Sequence, residues 1–346
     1  MAEIGANCGE RPVIMRQFRI LLTLFAVCLA IIPAGCNHGP EPEEIIVYCG
    51  VDEPYASKVF AEFEKQSGIH VAVQYDIESS KSVGLAGKLE AESAHPRADV
   101  WWGSEAFLST RLASENILEP YSPTTGADIP PEFKDPQGYW TGIGLRARVL
   151  AVSNPPPPFQ ITGIEDLADP RLKNKICISR PTAGATGAHV AALYVFWGRD
   201  KTIAFFHKLH DNGIAALGGN AEVADQVGNG VYSLGLTDSD DVSNSAANGG
   251  KLSMVVPDQS TFGTLAMPTT IGLVRGTRHE QAAKKLIDFL ASKPVEQMLI
   301  DMKYARWSVR GGAGQEIKAM KIDYREAAKV YAQAQRETTA ILDGRM

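Results

Sequence analysis

The chain is poor in cysteine, and what it has is unevenly placed. Of its five cysteines, Cys8, Cys28 and Cys36 fall in the first 36 residues, which leaves Cys49 and Cys177 for the folded part. Each of these sits in an apolar run that reads as a strand, IIVYCG and KICIS. Both are expected as buried free thiols in different halves of the molecule, which excludes a disulfide scaffold. Catalytic signatures are missing too: there is no HExxH, no CxxC pair and no GxSxG. No obvious nucleophile has a base beside it. A net charge of −6 gives no reason to expect nucleic acid as a partner. No repeat of solenoid type is present, and beyond the N-terminus no apolar stretch reaches the roughly 20 residues of a membrane span.

What is present begins with an export signal. Met15 to Cys36, MRQFRILLTLFAVCLAIIPAGC, has Arg16 and Arg19 ahead of the apolar run Ile20–Ile32 and then small residues before a cysteine. Residues 1–36 are expected to be a signal peptide with Met15 as the true start. Pro33-Ala34-Gly35-Cys36 resembles the lipobox of bacterial lipoproteins, with Cys36 as the lipidated residue; plain secretory cleavage nearby is the alternative. The removed piece carries one more positive than negative charge, so the mature chain is slightly more acidic than the whole. Residues 37–44 read as a polar tether. The expected product is exported, at most tethered to the membrane by lipid, and monomeric.

A strand–loop–helix rhythm follows. Ile45–Tyr48 is a strand, Asp52-Glu53-Pro54 starts a helix, and Ser67-Gly68 stops it. Ile69–Tyr75 and Asp99–Trp102 are further strands, with helices opening near Ser79–Ser82 and at Ser104. Gly138–Ser153 is a long extended stretch, followed by the four-proline loop Asn154–Phe159. The alternation resumes with Lys175–Ser179, a helix over Ala185–Trp197, another over Lys201–His210, then Ile214–Leu217, Ala221–Val227 and Val231–Leu236. Leu252–Val256 and Ala266–Val274 are extended, His279–Ala291 is an amphipathic helix, and helical sequence runs to the end. The pattern predicts an α/β protein whose mainly parallel sheets are flanked by helices.

In open α/β sheets ligands gather at strand ends. Four ends carry polar chemistry: Asp52-Glu53, Ser79-Ser80-Lys81-Ser82, Ser104-Glu105, and Asp238-Ser239-Asp240-Asp241. Taken singly, each reads as well as a helix cap or a solvated turn. Three carboxylates are more than a cap needs, and packed without a cation they repel one another. The last group is no EF-hand loop, since Ser243 and Gly249 stand where that motif needs Gly and Glu. Thr182 to Gly187 are all small and precede an apolar helix, which suits either an anion at a helix N-terminus or close helix packing. That stretch lacks the lysine of a P-loop. His189, one turn in, reads as a packing residue. Of the adjacent Trp101 and Trp102, at most one faces a site.

The stretches YCGVDEPYASKVFAEFEKQSGIHV, SSKSVGLAGKLEAE, PRADVWWGSEAF, GYWTGIGLRARVLAVSN and PTAGATGAHVAAL resemble type 2 periplasmic substrate-binding proteins of ABC importers, and within them the ferric-ion-binding, bacterial-transferrin-like group. The resemblance runs from Ile45 to Ser308. It implies two lobes, each a mixed, mainly parallel sheet flanked by helices, with a cleft at a two-strand hinge. Lobe 1 is then residues 45–145 and 270–346, and lobe 2 is 146–269. The family's first-loop ligand falls at Asp52, and its Glu falls at Ser104, beside Glu105. Its tyrosine pair falls at Ser239-Asp240, inside the cluster of Asp238, Asp240 and Asp241, whose carboxylates suit Fe3+ but equally other hard cations. The resemblance thus implies a metal site of Asp52, Glu105, Asp238, Asp240 and Asp241. It implies an anion seat, for carbonate or phosphate, of Thr182, Ala183, Gly184, Ala185, Thr186 and Asn220. The implied cargo is Fe3+ and the implied partner an importer permease. An organic anion such as a phosphonate or sugar phosphate, engaging Ser80 and Lys81, is the alternative; an Asp-dependent hydrolase is a third.

Overall fold

The computed structural model describes residues 44–76, 83–311 and 317–346. The signal, lipobox and Cys36 expectations therefore lie outside the described residues, as do Ser80 and Lys81.

The chain opens with strand β1 (Glu44–Cys49), helix α1 (Glu53–Ser67), β2 (His70–Tyr75), α2 (Val83–Ala91), β3 (Val100–Gly103), α3 (Ala106–Ser114) and the short β4 (Leu118–Glu119). Helix α1 shows how locally this is specified. Asp52 precedes it in extended conformation, Pro54 lies in its first turn, and Gly68 ends it at φ 72° with its N–H on the Glu64 carbonyl. Its Ala56, Val59, Phe60 and Phe63 are buried on one stripe.

Strand β5 (Thr141–Ser153) is thirteen residues long and wholly buried. Beyond it come β6 (Ile176–Ser179), α4 (Gly184–Phe196), α5 (Arg199–Asp211), β7 (Ala215–Leu217), α6 (Asn220–Gly228), β8 (Leu234–Asp238), α7 (Ser239–Ala247) and β9 (Leu252–Val255). The chain then returns through β10 (Ala266–Val274), α8 (Glu280–Leu290), α9 (Lys293–Asp301) and α10 (Tyr324–Leu342).

The strand order is β2-β1-β3-β10-β5-β8-β6-β7, with β4 on β10 and β9 on β5. The early residues of β5, Thr141 to Ala147, pair with β10; the later ones, Arg148 to Ser153, pair with β8 and β9. One long strand thus belongs to two sheet halves. The parallel pairs β1/β2 and β1/β3 lie in one half, and β6/β7 and β6/β8 in the other. Strand ends carrying chemistry in the two halves meet beside β5.

Two local expectations are corrected and one is sharpened. Glu105, not Ser104, caps α3, accepting from the backbone N–H groups of Phe107 and Leu108. Neither Trp101 nor Trp102 faces a site; both are fully buried on opposite faces of β3, their indole N–H groups donating to Ser109 (2.8 Å) and Thr269 (3.2 Å). Alternation does place the two on opposite faces, but each face here is covered. Residues 317–323 are not helical, and α10 begins only where the Asp323 carboxylate caps it. Cys49 and Cys177 are buried free thiols, as expected.

Helix α10 closes the molecule by packing on α4, α3 and α5. Its Ala327, Tyr331, Ala334, Thr338 and Ile341 form a buried stripe. The contact with α4 depends on Gly187, where an added Cβ would meet the Tyr331 hydroxyl at 2.8 Å and the Gln335 amide. Gly187→Ala should cost about 1–2 kcal/mol net, overpacking against the buried Tyr331 outweighing the up to about 1 kcal/mol that alanine gains within a helix. Urea unfolding checks this, and a change within about 0.5 kcal/mol, the range of an ordinary surface substitution, would contradict the packing account.

Candidate functional site

Strands β6, β7 and β8 run parallel, and each is followed by a helix. Their carboxyl ends therefore deliver the N-termini of α4, α6 and α7 to one place. A cavity of about 30 Å³ lies there, lined by Thr182–Ala185, Gly218–Asn220, Asp238, Asp240 and Asp241 from these ends, with Ser179 and Arg180. Ser104 and Arg146 close it from the side of β3 and β5. A space of that size holds one or two waters, or an ion with its nearest ligands. Each helix start adds a partial positive charge and N–H groups without intrahelical partners.

Asp238, Asp240 and Asp241 each offer an oxygen within 4.8 Å of the others. Such crowding needs positive charge, and β5 provides it. Arg146 and Arg148, two residues apart on a strand, point to the same side. Arg148 is fully buried; its Nη1 donates to Asp238 Oδ1 (2.7 Å) and Asn220 Oδ1 (2.9 Å), and its Nη2 to the Leu236 carbonyl (3.3 Å). Arg146 Nη1 lies 3.2 Å from Asp240 Oδ2 and 3.6 Å from Asp238 Oδ2. Its Nη2 donates to the Ser104 carbonyl (2.9 Å), and its guanidinium stands 4.9 Å from the centre of the Tyr304 ring. Burial disfavours the Arg146 charge, but Tyr304, Asp240, Asp238 and Asp52 more than offset it and hold the guanidinium protonated. These arginines were absent from the expected site. Their signal was available: two arginines two apart in a strand otherwise apolar enough to be buried must share counter-charges.

The other expected residues divide clearly. Asp238 is committed to Arg148, Arg146 and the Asn220 amide (3.3 Å). Asp240 and Asp241 remain at the cavity, in the first turn of α7. Asp52, ahead of α1, is close enough for its charge to act on Arg146 and on Tyr55. Thr182 through Ala185 line the cavity, whereas Thr186 is buried behind it and donates to Asn220 Oδ1 (3.0 Å). Asn220 ties α4, α6, β5 and β8 together. His189 is buried, and burial first, then Arg148, pushes its pKa well below the usual value, so it is neutral. Tyr55 crosses from α1 to accept from the Asn244 amide on α7. Burial raises its pKa, the Asn244 bond opposes this, and the charges of Asp240, Asp52 and Asp241 raise it further.

Glu105 does not join the acidic group. Its fully buried carboxylate turns into the start of α3, accepting from Phe107 N–H and from Leu108 N–H (3.2 Å). Burial raises its pKa to about 7, against the opposing pull of those N–H groups, Arg111 and Arg146. The unfolded chain releases this proton near pH 4.3. Stability from Glu105 is therefore full below that pH and falls as pH rises toward 7. Glu105→Gln keeps an acceptor for the cap and removes the titration. Relative to the variant, the wild type should lose stability, on the order of 1–3 kcal/mol, between pH 4.5 and 7.5 in urea titrations. Parallel pH profiles for the two proteins would contradict this.

Comparison with known proteins gives the family and the fold. Residues 97–329 match the family described as bacterial extracellular solute-binding protein. Iron uptake protein A1 of Synechocystis sp. is 26% identical over 276 residues, covering 76% of this chain and 75% of that protein. A putative 2-aminoethylphosphonate-binding periplasmic protein of Salmonella typhimurium is 26% identical over 264 residues, covering 73% and 74%. Among solved structures, iron-bound HitA from Pseudomonas aeruginosa superposes with a TM-score of 0.77 at 20% identity, covering 86% of this chain and 99% of that one. The fold is the two-lobed one of these binding proteins, with β5 and β10 running between the lobes. The chain belongs to the bacterial extracellular solute-binding protein family.

Proposed function

We propose that this chain is an exported receptor, not an enzyme, that binds Fe3+ in the cleft between its lobes and delivers it to the membrane permease of an ABC importer. Lobe 1 is residues 45–145 and 270–311 and lobe 2 is 146–269; α10, expected in lobe 1, shares its buried stripe mainly with α4 and α5 of lobe 2 and so is grouped with that lobe. The protein acts as a monomer, held at the envelope through lipid on Cys36.

The observation that carries this reading is the group of aspartate oxygens within 4.8 Å of one another at a cavity of about 30 Å³. With Asp238 held by Arg148, Asp240 and Asp241 are the donors from lobe 2, and Asp52 approaches from lobe 1. Hard anionic oxygens suit Fe3+. A ligand that touches both lobes favours the closed state because only there are all its contacts made. Carbonate or phosphate would sit at the start of α4, over Ala183 to Ala185. Several relatives carry iron in their names, including the Fe(3+)-binding periplasmic protein of Serratia marcescens. No tyrosine lines the cavity among the described residues, so the iron-loaded protein should lack an intense visible band; a purple-red colour would move the assignment to a tyrosine. Elemental analysis of protein taken from its own envelope before any chelator should find iron near one equivalent. Iron-free protein with no calorimetric response to ferric citrate would sink the reading.

One observation favours a second cargo. Arg146 and the starts of α4, α6 and α7 face the same cavity as Asp240 and Asp241. A small zwitterion, with an ammonium on the aspartates and a phosphonate on the helix starts, matches that split polarity, provided the lobes open to give it more room than the present cavity of about 30 Å³. The Salmonella relative is named for such a compound. Calorimetry with 2-aminoethylphosphonate separates the two cargoes.

A further inference from the structure

Arg146 stands where the cation of the proposed function would need to be served. It is 3% exposed and leaves β5 opposite Met267 of β10, on the part of the strand that both sheet halves share. One arm of its guanidinium reaches Asp240 on α7, at 3.2 Å; the other reaches the Ser104 carbonyl at the end of β3, at 2.9 Å. The Tyr304 ring lies against its face. The same side chain thus neutralises a proposed metal donor and ties one side of the cleft to the other.

We propose that Arg146 is a built-in competitor for the cation site, a residue that sets which ions the cleft retains. This rests on the metal reading. An arriving cation must compete with the guanidinium for the charge of the Asp240 carboxylate, whose Oδ2 Arg146 holds. It must also bear the repulsion of Arg146 and Arg148 at close range. That repulsion lowers every cation's binding, and a trivalent ion's more than a divalent ion's, so what decides retention is the affinity left over. Ions held weakly by two or three carboxylates, such as Ca2+ and Mn2+, then fall out of range, and an ion that bonds carboxylates strongly stays. Releasing Asp240 also frees Arg146 from its bridging position, so loading the site alters the link between the halves. A guanidinium serving only as a buried structural ion pair would predict the opposite outcome for metals, because its loss would disorder the aspartates and weaken all binding.

The test measures Ga3+, Mn2+ and Ca2+ binding by calorimetry to wild type, Arg146→Gln and Arg146→Lys. Ga3+ serves as a redox-inert, diamagnetic trivalent probe. The expected result is that Arg146→Gln binds Mn2+ and Ca2+ at least tenfold more tightly than wild type, while Arg146→Lys, which keeps the charge, does not. Equal or weaker divalent binding by a folded Arg146→Gln would overturn the proposal while leaving the metal reading intact. Wild type that takes up no cation at all would overturn both. Should Arg146→Gln not fold, arginine side-chain NMR of the wild type decides. The Arg146 signal, identified by its absence in Arg146→Lys, should move on Ga3+ loading, and an unchanged signal at saturation would overturn the proposal.

Discussion

Replacing Asp240 and Asp241 together by asparagine is expected to lower the affinity for Fe3+ by more than about 100-fold. That is beyond the roughly 10–100-fold that changes to groups behind the ligands cost. Asparagine preserves the shape and an oxygen but removes two negative charges, and the cavity then holds Arg146 and three helix starts with little to oppose them. The double substitution should also cost stability, because Asp240 is buried and is the counter-charge of buried Arg146; Asp241→Asn alone, at a half-buried position, should leave the fold largely intact and still weaken iron binding. Asp238→Asn separates the roles. Asp238 faces Arg148, Arg146 and Asn220, so its loss should reduce stability more than iron affinity. Competition against citrate, followed by calorimetry, reads the affinities. An undiminished affinity in the double variant would place the cation elsewhere.

The largest effect on stability is expected from Arg148→Met. The side chain is fully buried and makes three hydrogen bonds. Methionine fills much of the volume but leaves the Asp238 carboxylate in the interior with only the Asn220 amide at 3.3 Å and, as the one remaining positive charge beside it, Arg146 at 3.6 Å. Breaking a buried pair from one side typically costs about 3–5 kcal/mol, because an uncompensated charge remains. Adding Asp238→Asn to Arg148→Met should return a good part of that loss, with a coupling of about 2 kcal/mol or more in the double-mutant cycle. Denaturant unfolding of the four proteins measures it. A loss below about 1 kcal/mol in Arg148→Met would show that the pair is not what neutralises the acidic group.

Much of the architecture was readable from local signals. The start of α1, with Asp52 and Pro54, and its end at Gly68 follow from backbone chemistry that needs no tertiary context. Strand β10 falls on Ala266–Val274 as the run of residues suggests. The acidic strand end of β8 was conspicuous because three carboxylates exceed the need of any cap. What failed did so where partners distant in sequence decide the outcome. Glu105 lies next to the position that family alignment favours, and only the packing of α10 over α3, with Tyr324 and Tyr331 near it, explains why its carboxyl is sealed from the cleft. For Trp101 and Trp102 the strand alternation held, leaving at most one free to face a site; that neither does is decided by the cover on both faces. Arg146 and Arg148 read as exceptions in an apolar strand. Their partners lie about ninety residues further along the chain, at Asp238 and Asp240. A pair of like charges on one face of a buried strand is an unpaid electrostatic debt, and the acidic strand end is what settles it.

The most direct measurement is diffraction at the iron absorption edge from crystals of the iron-loaded protein. The account predicts a single anomalous peak at coordination distance from carboxylate oxygens of Asp240 and Asp241, with Asp238 still on Arg148 and Arg146 drawn away from Asp240. A peak elsewhere, or an ammonium group of an organic ligand between those two carboxylates with no iron present, would contradict it.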